Sequence, residues 1–172
     1  EDAEVIINSR GVVTWDVRAL NSLPKLRMIA LISTGTDMVN LDAASELGIV
    51  VSNVPGRPAH GVAEHLFCLM LAVSKHLAYV TAEMKAGRWA RVDNILLRGK
   101  TLGIIGTGNV GGEMARLARS LGMDVVAWTF NPSPKRAAEL GVRYVELDEL
   151  LSQSDVVSLS VRLTDETKEM IG

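Results

Sequence analysis

Apolar residues along the chain fall into short runs separated by polar segments, and the spacing of those runs alternates between two kinds. Runs at 5–7, 28–32 and 49–51 have the length of strands, while 16–22 and 41–47 carry apolar positions at helical spacing, the second closing on Gly48, a natural helix stop. Strand, helix, strand, helix, strand predicts parallel pairing through right-handed crossovers. Asn53, Pro55, Gly56 and Pro58 then break the pattern, so a domain junction is expected there, with residues 1–54 on one side and 55–172 on the other.

Beyond the junction, Val62, Leu66, Leu69, Val73, Leu77, Val80 and Met84 step by three or four, which predicts one long helix with a single apolar stripe, ending at Gly87. Residues 88–98 read as a polar connector, with Trp89 as an anchor into a neighbouring surface. From Thr101 the pattern sharpens: a strand over 102–105, a helix over 109–121 stopping at Gly122, and a strand within 124–130. After a break at Pro132 and Pro134 come a helix over 135–140, a strand over 142–145, a short helix over 147–151 and a strand over 156–159. Two successive βαβ units predict an α/β fold, the front half of a doubly wound parallel sheet of the Rossmann type. The full form has about six strands, so the chain is expected to be a piece of a longer protein. Its first residue, Glu1 rather than Met, points the same way.

Composition narrows the chemistry. The 172 residues carry 18 Lys+Arg against 20 Asp+Glu, a net charge of -2, which gives no electrostatic footprint for nucleic acid and no polybasic membrane patch. Many aliphatic residues and few aromatics (48% hydrophobic, 4% aromatic) suit parallel strands buried on both faces. The single cysteine, Cys68, excludes a disulfide framework and a CxxC zinc site, so no metal is expected; within its apolar run it is expected to be a buried, inert thiol. The acidic start is no secretory n-region, and the apolar run 66–73 is too short to span a bilayer. A cytoplasmic protein without membrane partners is the expectation.

Gly106-Thr107-Gly108-Asn109-Val110-Gly111 fits GxGxxG directly after a predicted strand and at the opening of a predicted helix, the context that gives the motif meaning. Gly106 permits the tight turn, Gly108 lets backbone approach a pyrophosphate, and Gly111 lets helix and strand pack closely. The free N–H groups of the first helical turn and the helix dipole then hold the diphosphate. An NAD site usually carries Asp or Glu about 20 residues on, at the end of the second strand. Here that end reads Ala127-Trp128-Thr129-Phe130-Asn131, with Asp124 at the wrong end of the strand. Thr129 or Asn131 could bond a ribose hydroxyl without repelling a 2′-phosphate, and Lys135 and Arg136 could reach one or simply form a solvated first turn. NAD and NADP both stay open.

In their order along the chain these stretches resemble the D-isomer-specific 2-hydroxyacid dehydrogenases. The resemblance rests on Leu31-Ile32-Ser33-Thr34-Gly35-Thr36-Asp37, on Ile49 to Gly56 with Val62-Ala63-Glu64-His65, on Arg98-Gly99-Lys100-Thr101 through Gly111, and on Ser154 to Gly172. It implies part of a flavodoxin-like substrate domain ahead of an NAD(P)-binding Rossmann domain, and hydride transfer between a D-2-hydroxy acid and a 2-keto acid. It implies that Gly35 and Thr36 meet the substrate carboxylate and that Thr34 touches the cofactor. Gly106, Thr107, Gly108, Asn109, Val110 and Gly111 would hold the pyrophosphate, Thr129 would stand in place of the ribose-reading acid, and Val161 would pack against the cofactor. Arg162 replaces a frequent proline and either contacts cofactor or substrate or faces solvent. It also implies a homodimer built through about residues 62–98.

The family's catalytic Arg, Glu and His would fall beyond Gly172, so no catalytic residue is assigned within the chain. His60, His65 and His76 read as structural or solvated, and Glu64 beside His65 makes no dyad because adjacent helical residues point apart. Two other readings share these residues: a dinucleotide-sensing corepressor-like protein of the same fold, and an inactive fragment whose bare sheet edge and apolar patch invite self-association.

Overall fold

In a computed structural model, which describes residues 2–9 and 13–171, the chain divides into two compact units, residues 1–58 and 59–172. Gly172, the last residue of the expected second domain, lies outside the described residues.

The first unit is a three-stranded parallel sheet, β1 (Val5–Ser9), β2 (Met28–Ile32) and β3 (Val50–Ser52), in that order, with α1 (Val17–Asn21) and α2 (Leu41–Glu46) as its crossovers. Each helix starts on a side chain that takes up an otherwise orphaned N–H: Asp16 Oδ1 accepts from Ala19 at 2.8 Å and Asn40 Oδ1 from Ala43 at 3.0 Å. Leu20, Ile29, Leu31, Val39, Ala44 and Ile49 close a core on one side of the sheet. Strand alternation places Val5, Ile7, Ile32 and Val50 on the other side, where they remain exposed.

The second unit opens with α3 (Ala59–Ser74) and α4 (Leu77–Lys85). These are two helices bent by 64°, in place of the single helix the apolar spacing predicts. The break is at His76, whose φ of 49° is left-handed and costs a non-glycine residue about 1 kcal/mol. The connector compensates locally: Ile95 N–H donates to the Ser74 carbonyl at 2.9 Å, and Lys75 Nζ caps the Ile95 carbonyl.

Most of the predicted stripe faces outward, although Leu66 and Val80 are half-buried and Leu66 packs against the core. Val62, Leu69, Val73, Leu77 and Met84 are exposed, while α3 buries Ala59, Ala63, Met70 and Ser74. α3 packs closely on α5 (Asn109–Ser120), with Ala63 and Met70 in one core with Met114, Ala115 and Ala118, and that contact turns Val62, Leu69 and Val73 away. Cys68 shares the outward face with Leu69 and is exposed, so the buried, inert thiol expected from its apolar run is corrected: Phe67, Met70 and Leu71 in the same run turn to the core, and Cys68 turns away from it. Among the described residues no single helix is long and apolar enough to cross a membrane.

The rest is a parallel four-stranded sheet ordered β6-β5-β4-β7, made of β4 (Thr101–Ile105), β5 (Asp124–Trp128), β6 (Arg143–Tyr144) and β7 (Val156–Leu159), with α5, α6 (Pro134–Leu140) and α7 (Leu147–Gln153) between strands. The Rossmann-type half predicted from periodicity is present, and β4 is buried along nearly its whole length, as a central parallel strand must be. Asp155 ties the amino ends of β4 and β7 together, accepting Thr101 N–H at 2.8 Å and Lys100 Nζ at 2.9 Å. The Thr101 amide, with Lys100 behind it, holds that carboxyl below its usual range.

Candidate dinucleotide-binding site

In an open parallel sheet, ligands bind outside the carboxyl ends of the strands where the strand order reverses. In the order β6-β5-β4-β7 the reversal lies between β4 and β7, and the glycine loop leaves β4 at that point. Gly106 has a φ of +95°, and a Cβ there would stand 2.8 Å from both the Ser160 carbonyl oxygen and Val161 Cγ1. A Cβ on Gly111 would collide with the Gly106 carbonyl. Protein packing therefore explains these two glycines. It does not explain Gly108, whose Cβ would meet nothing within 4 Å.

Gly108 caps α5 without a side-chain hydrogen bond. The N–H groups of Asn109, Val110 and Gly111 have no partner among the described residues, while the Gly112 N–H begins the helical ladder on the Gly108 carbonyl at 2.9 Å. Open space over three unpaired N–H groups at the positive end of a helix is the shape and charge that a diphosphate requires, so the residues present fit a dinucleotide. Thr107 is turned inward, its hydroxyl 2.8 Å from Tyr144 Oη. Val161 is half-buried under the loop, and Arg162 is exposed, its carbonyl taken by Thr167 Oγ1 at 2.6 Å.

Thr129 is half-buried at the end of β5 and lines a crevice of about 370 Å³ with Trp128, Phe130, Tyr144 and Glu146. Arg136, weighed from sequence as a phosphate contact, points its guanidinium at the start of α5: Nη2 lies 3.4 Å from the Thr107 carbonyl and against the bare Cα of Gly112. Lys135 is exposed. Sequence reading missed Tyr144 and Glu146, both contributed by the β6 end; that strand has only two residues and shows no periodicity, and the available signal was that strand order sets it beside β5.

Of the histidines, His65 and His76 are exposed and His60 Nδ1 stands 3.2 Å from Glu113. The Arg116 guanidinium, with His60 adding to it against the effect of burial, holds the Glu113 carboxyl below the usual range.

In the first unit, the 33–37 turn at the carboxyl end of β2 is stitched to the segment after β3. Asn53 Nδ2 donates to the Thr34 carbonyl at 2.7 Å, Thr34 Oγ1 to the Val54 carbonyl at 3.3 Å, and Ser33 Oγ to the Gly35 carbonyl at 2.8 Å. The amides of Gly35 and Thr36 have no partner among the described residues. The exposed Asp37 carboxylate stands over Gly35, and an anion reaching those amides requires it to turn away.

Residues 67–172 match the family described as D-isomer specific 2-hydroxyacid dehydrogenase, NAD binding domain. The chain is 39% identical over 169 residues to a hydroxypyruvate reductase of Thermotoga maritima, covering 97% of this chain and 54% of that protein. It is 37% identical over 170 residues to a D-3-phosphoglycerate dehydrogenase of Archaeoglobus fulgidus, covering 98% of this chain and 32% of that one. Among solved structures, D-lactate dehydrogenase from Aquifex aeolicus complexed with NAD and lactic acid superposes with a TM-score of 0.87 at 34% identity, over 98% of this chain and 51% of that one. The chain thus spans between 32% and 54% of these two curated relatives. With the glycine loop, the strand order and the match all in agreement, the chain belongs to the D-isomer-specific 2-hydroxyacid dehydrogenases.

Proposed function

We propose that the chain forms the dinucleotide-binding part, with a portion of the substrate domain, of an NAD(P)-dependent oxidoreductase that interconverts a D-2-hydroxy acid and a 2-keto acid. Residues 55–172 take the first role and residues 1–54 the second. One observation carries this reading: the open space over Gly108 and the unpaired N–H groups behind it. A nicotinamide cofactor, when bound, supplies the hydride chemistry. The amides of Asn109, Val110 and Gly111 hold its diphosphate, Val161 supports it from below the loop, Thr129 faces its adenosine ribose, and Thr34 and Arg162 contribute further contacts. Gly35 and Thr36 offer backbone N–H groups to the carboxylate of a small 2-keto or 2-hydroxy acid, the kind of anion that such concave backbone turns accept.

The relatives named hydroxypyruvate reductase and D-lactate dehydrogenase support the reaction class. A homodimer is part of the reading, supported by the exposed apolar row Val73, Leu77, Met84 and Trp89 along α3, α4 and the connector. A cytoplasmic setting completes it, consistent with a chain that carries one cysteine.

The test is a titration of the chain with NADH, followed by nicotinamide fluorescence. Saturable binding with a blue shift is the expected result, and a chain that is folded by circular dichroism yet leaves the NADH emission unchanged at millimolar concentration refutes the reading. Thr129→Asp addresses the ribose position. It is expected to raise the NADH-over-NADPH preference by about tenfold, the worth of one hydrogen bond to a charged group; an unchanged ratio removes Thr129 from that position.

A further inference from the structure

β5 ends without an acid, and the structure shows where one stands instead. Glu146 follows β6, which lies beside β5 with Ala127 opposite Tyr144 and with Val145 N–H donating to the Ala127 carbonyl at 3.0 Å. Continuing that register by two residues sets Glu146 beside Thr129, and the two line the same crevice, in which Glu146 is the only charged residue among the described residues. The backbone of Glu146 caps α7, but its side chain makes no cap hydrogen bond. Neither a hydrogen bond nor an ion pair engages its exposed carboxylate among the described residues. The cation that could oppose it, Arg136, is held against α5 by the Thr107 carbonyl and the bare Gly112, with Glu139 3.9 Å from its other nitrogen.

We propose that Glu146 supplies from β6 the carboxylate that β5 lacks. It accepts hydrogen bonds from the adenosine ribose hydroxyls and repels a 2′-phosphate, so the chain selects NAD(H) over NADP(H). The inference rests on the dinucleotide reading above and adds to it the residue that discriminates. Discrimination of this kind is a difference of two affinities, one raised by an accepted hydrogen bond and the other lowered by like charge in a half-enclosed crevice.

Calorimetric titration with ADP-ribose and with 2′-phospho-ADP-ribose isolates the adenosine half, using the unaltered chain, Glu146→Gln and Glu146→Ala. The unaltered chain is expected to prefer ADP-ribose. Glu146→Gln keeps an acceptor and loses the charge, so it should cut that preference about tenfold, chiefly by admitting the phosphorylated ligand. Glu146→Ala should do the same and also weaken ADP-ribose itself. Wild-type preference in both variants overturns the assignment while leaving the dinucleotide reading intact. So does an unaltered chain that prefers 2′-phospho-ADP-ribose and loses that preference in Arg136→Ala. Failure of both ligands to bind the folded, unaltered chain overturns the assignment and the dinucleotide reading together.

Discussion

Gly108→Asp is expected to abolish dinucleotide binding and to leave the melting temperature unchanged. The two halves of that expectation have separate causes. A side chain at Gly108 meets no protein atom within 4 Å, and the residue's φ of −67° is one that any L-residue adopts, so the fold has no objection to it. The same open space is the place of the diphosphate, and a carboxylate there faces like charge. Two unit charges about 4 Å apart near a protein surface interact by roughly 4 kcal/mol. Since about 1.4 kcal/mol is tenfold in affinity, the expected loss is at least about a hundredfold. Fluorescence titration with NADH alongside a thermal melt checks both halves. NADH affinity equal to wild type would sink the assignment of the glycine loop, and a large fall in melting temperature would mean that the space over Gly108 is filled by protein.

How much of this was legible in the sequence depends on which side chains carry the signal. Where strands are buried on both faces, as in β4, and where a helix starts on Asn, Asp or Ser, large apolar residues and capping side chains are the cause of the structure, and reading them places the elements to within a residue or two. The helix after the junction defeated the same reading. Its buried face is Ala59, Ala63, Met70 and Ser74, where Met70 is the one large apolar side chain and a count of such side chains favours the other face, and its break at His76 has no proline or glycine to announce it. The left-handed backbone at His76 goes with the pairing of the connector to Ser74, a tertiary contact that local spacing does not show.

The candidate site divides along the same line. The glycine loop is contiguous and lies directly between a strand and a helix, so it could be read directly. The crevice beyond it is assembled from the ends of β5 and β6, and what matters there is which strand stands next to which. The missing acid at Thr129 was visible, but the carboxylate of Glu146 became relevant only once β6 was seen to pair with β5. The positions of Arg136 and Gly112 show the converse. The arginine looked like a phosphate contact from its place in the chain, and the absence of a Cβ on Gly112, which lets the guanidinium lie against α5, could not be connected with it until α5 and α6 were placed side by side.

Gly111→Ala is expected to act in the opposite sense to Gly108→Asp, destabilising the second unit whether or not ligand is present. Helix propensity alone favours the substitution by about 1 kcal/mol, because Ala loses less backbone entropy than Gly within a helix. Against this, the new methyl group falls on the Gly106 carbonyl oxygen, and neither partner is free to move. Gly106 is held by its N–H to the Trp128 carbonyl at 2.8 Å and is backed by Ser160 and Val161, while α5 is fixed by Met114, Ala115 and Ala118 in the core. Overpacking against such surroundings costs up to about 3 kcal/mol, which outweighs the propensity gain. The net loss lowers the melting temperature by several degrees, roughly 5–10 °C, for a cooperative unit of this size. A circular-dichroism melt decides it: a Gly111→Ala variant that melts with the wild type would show that the loop and α5 do not approach as closely as described, and the division of the motif into one glycine for the ligand and two for the fold would fail with it.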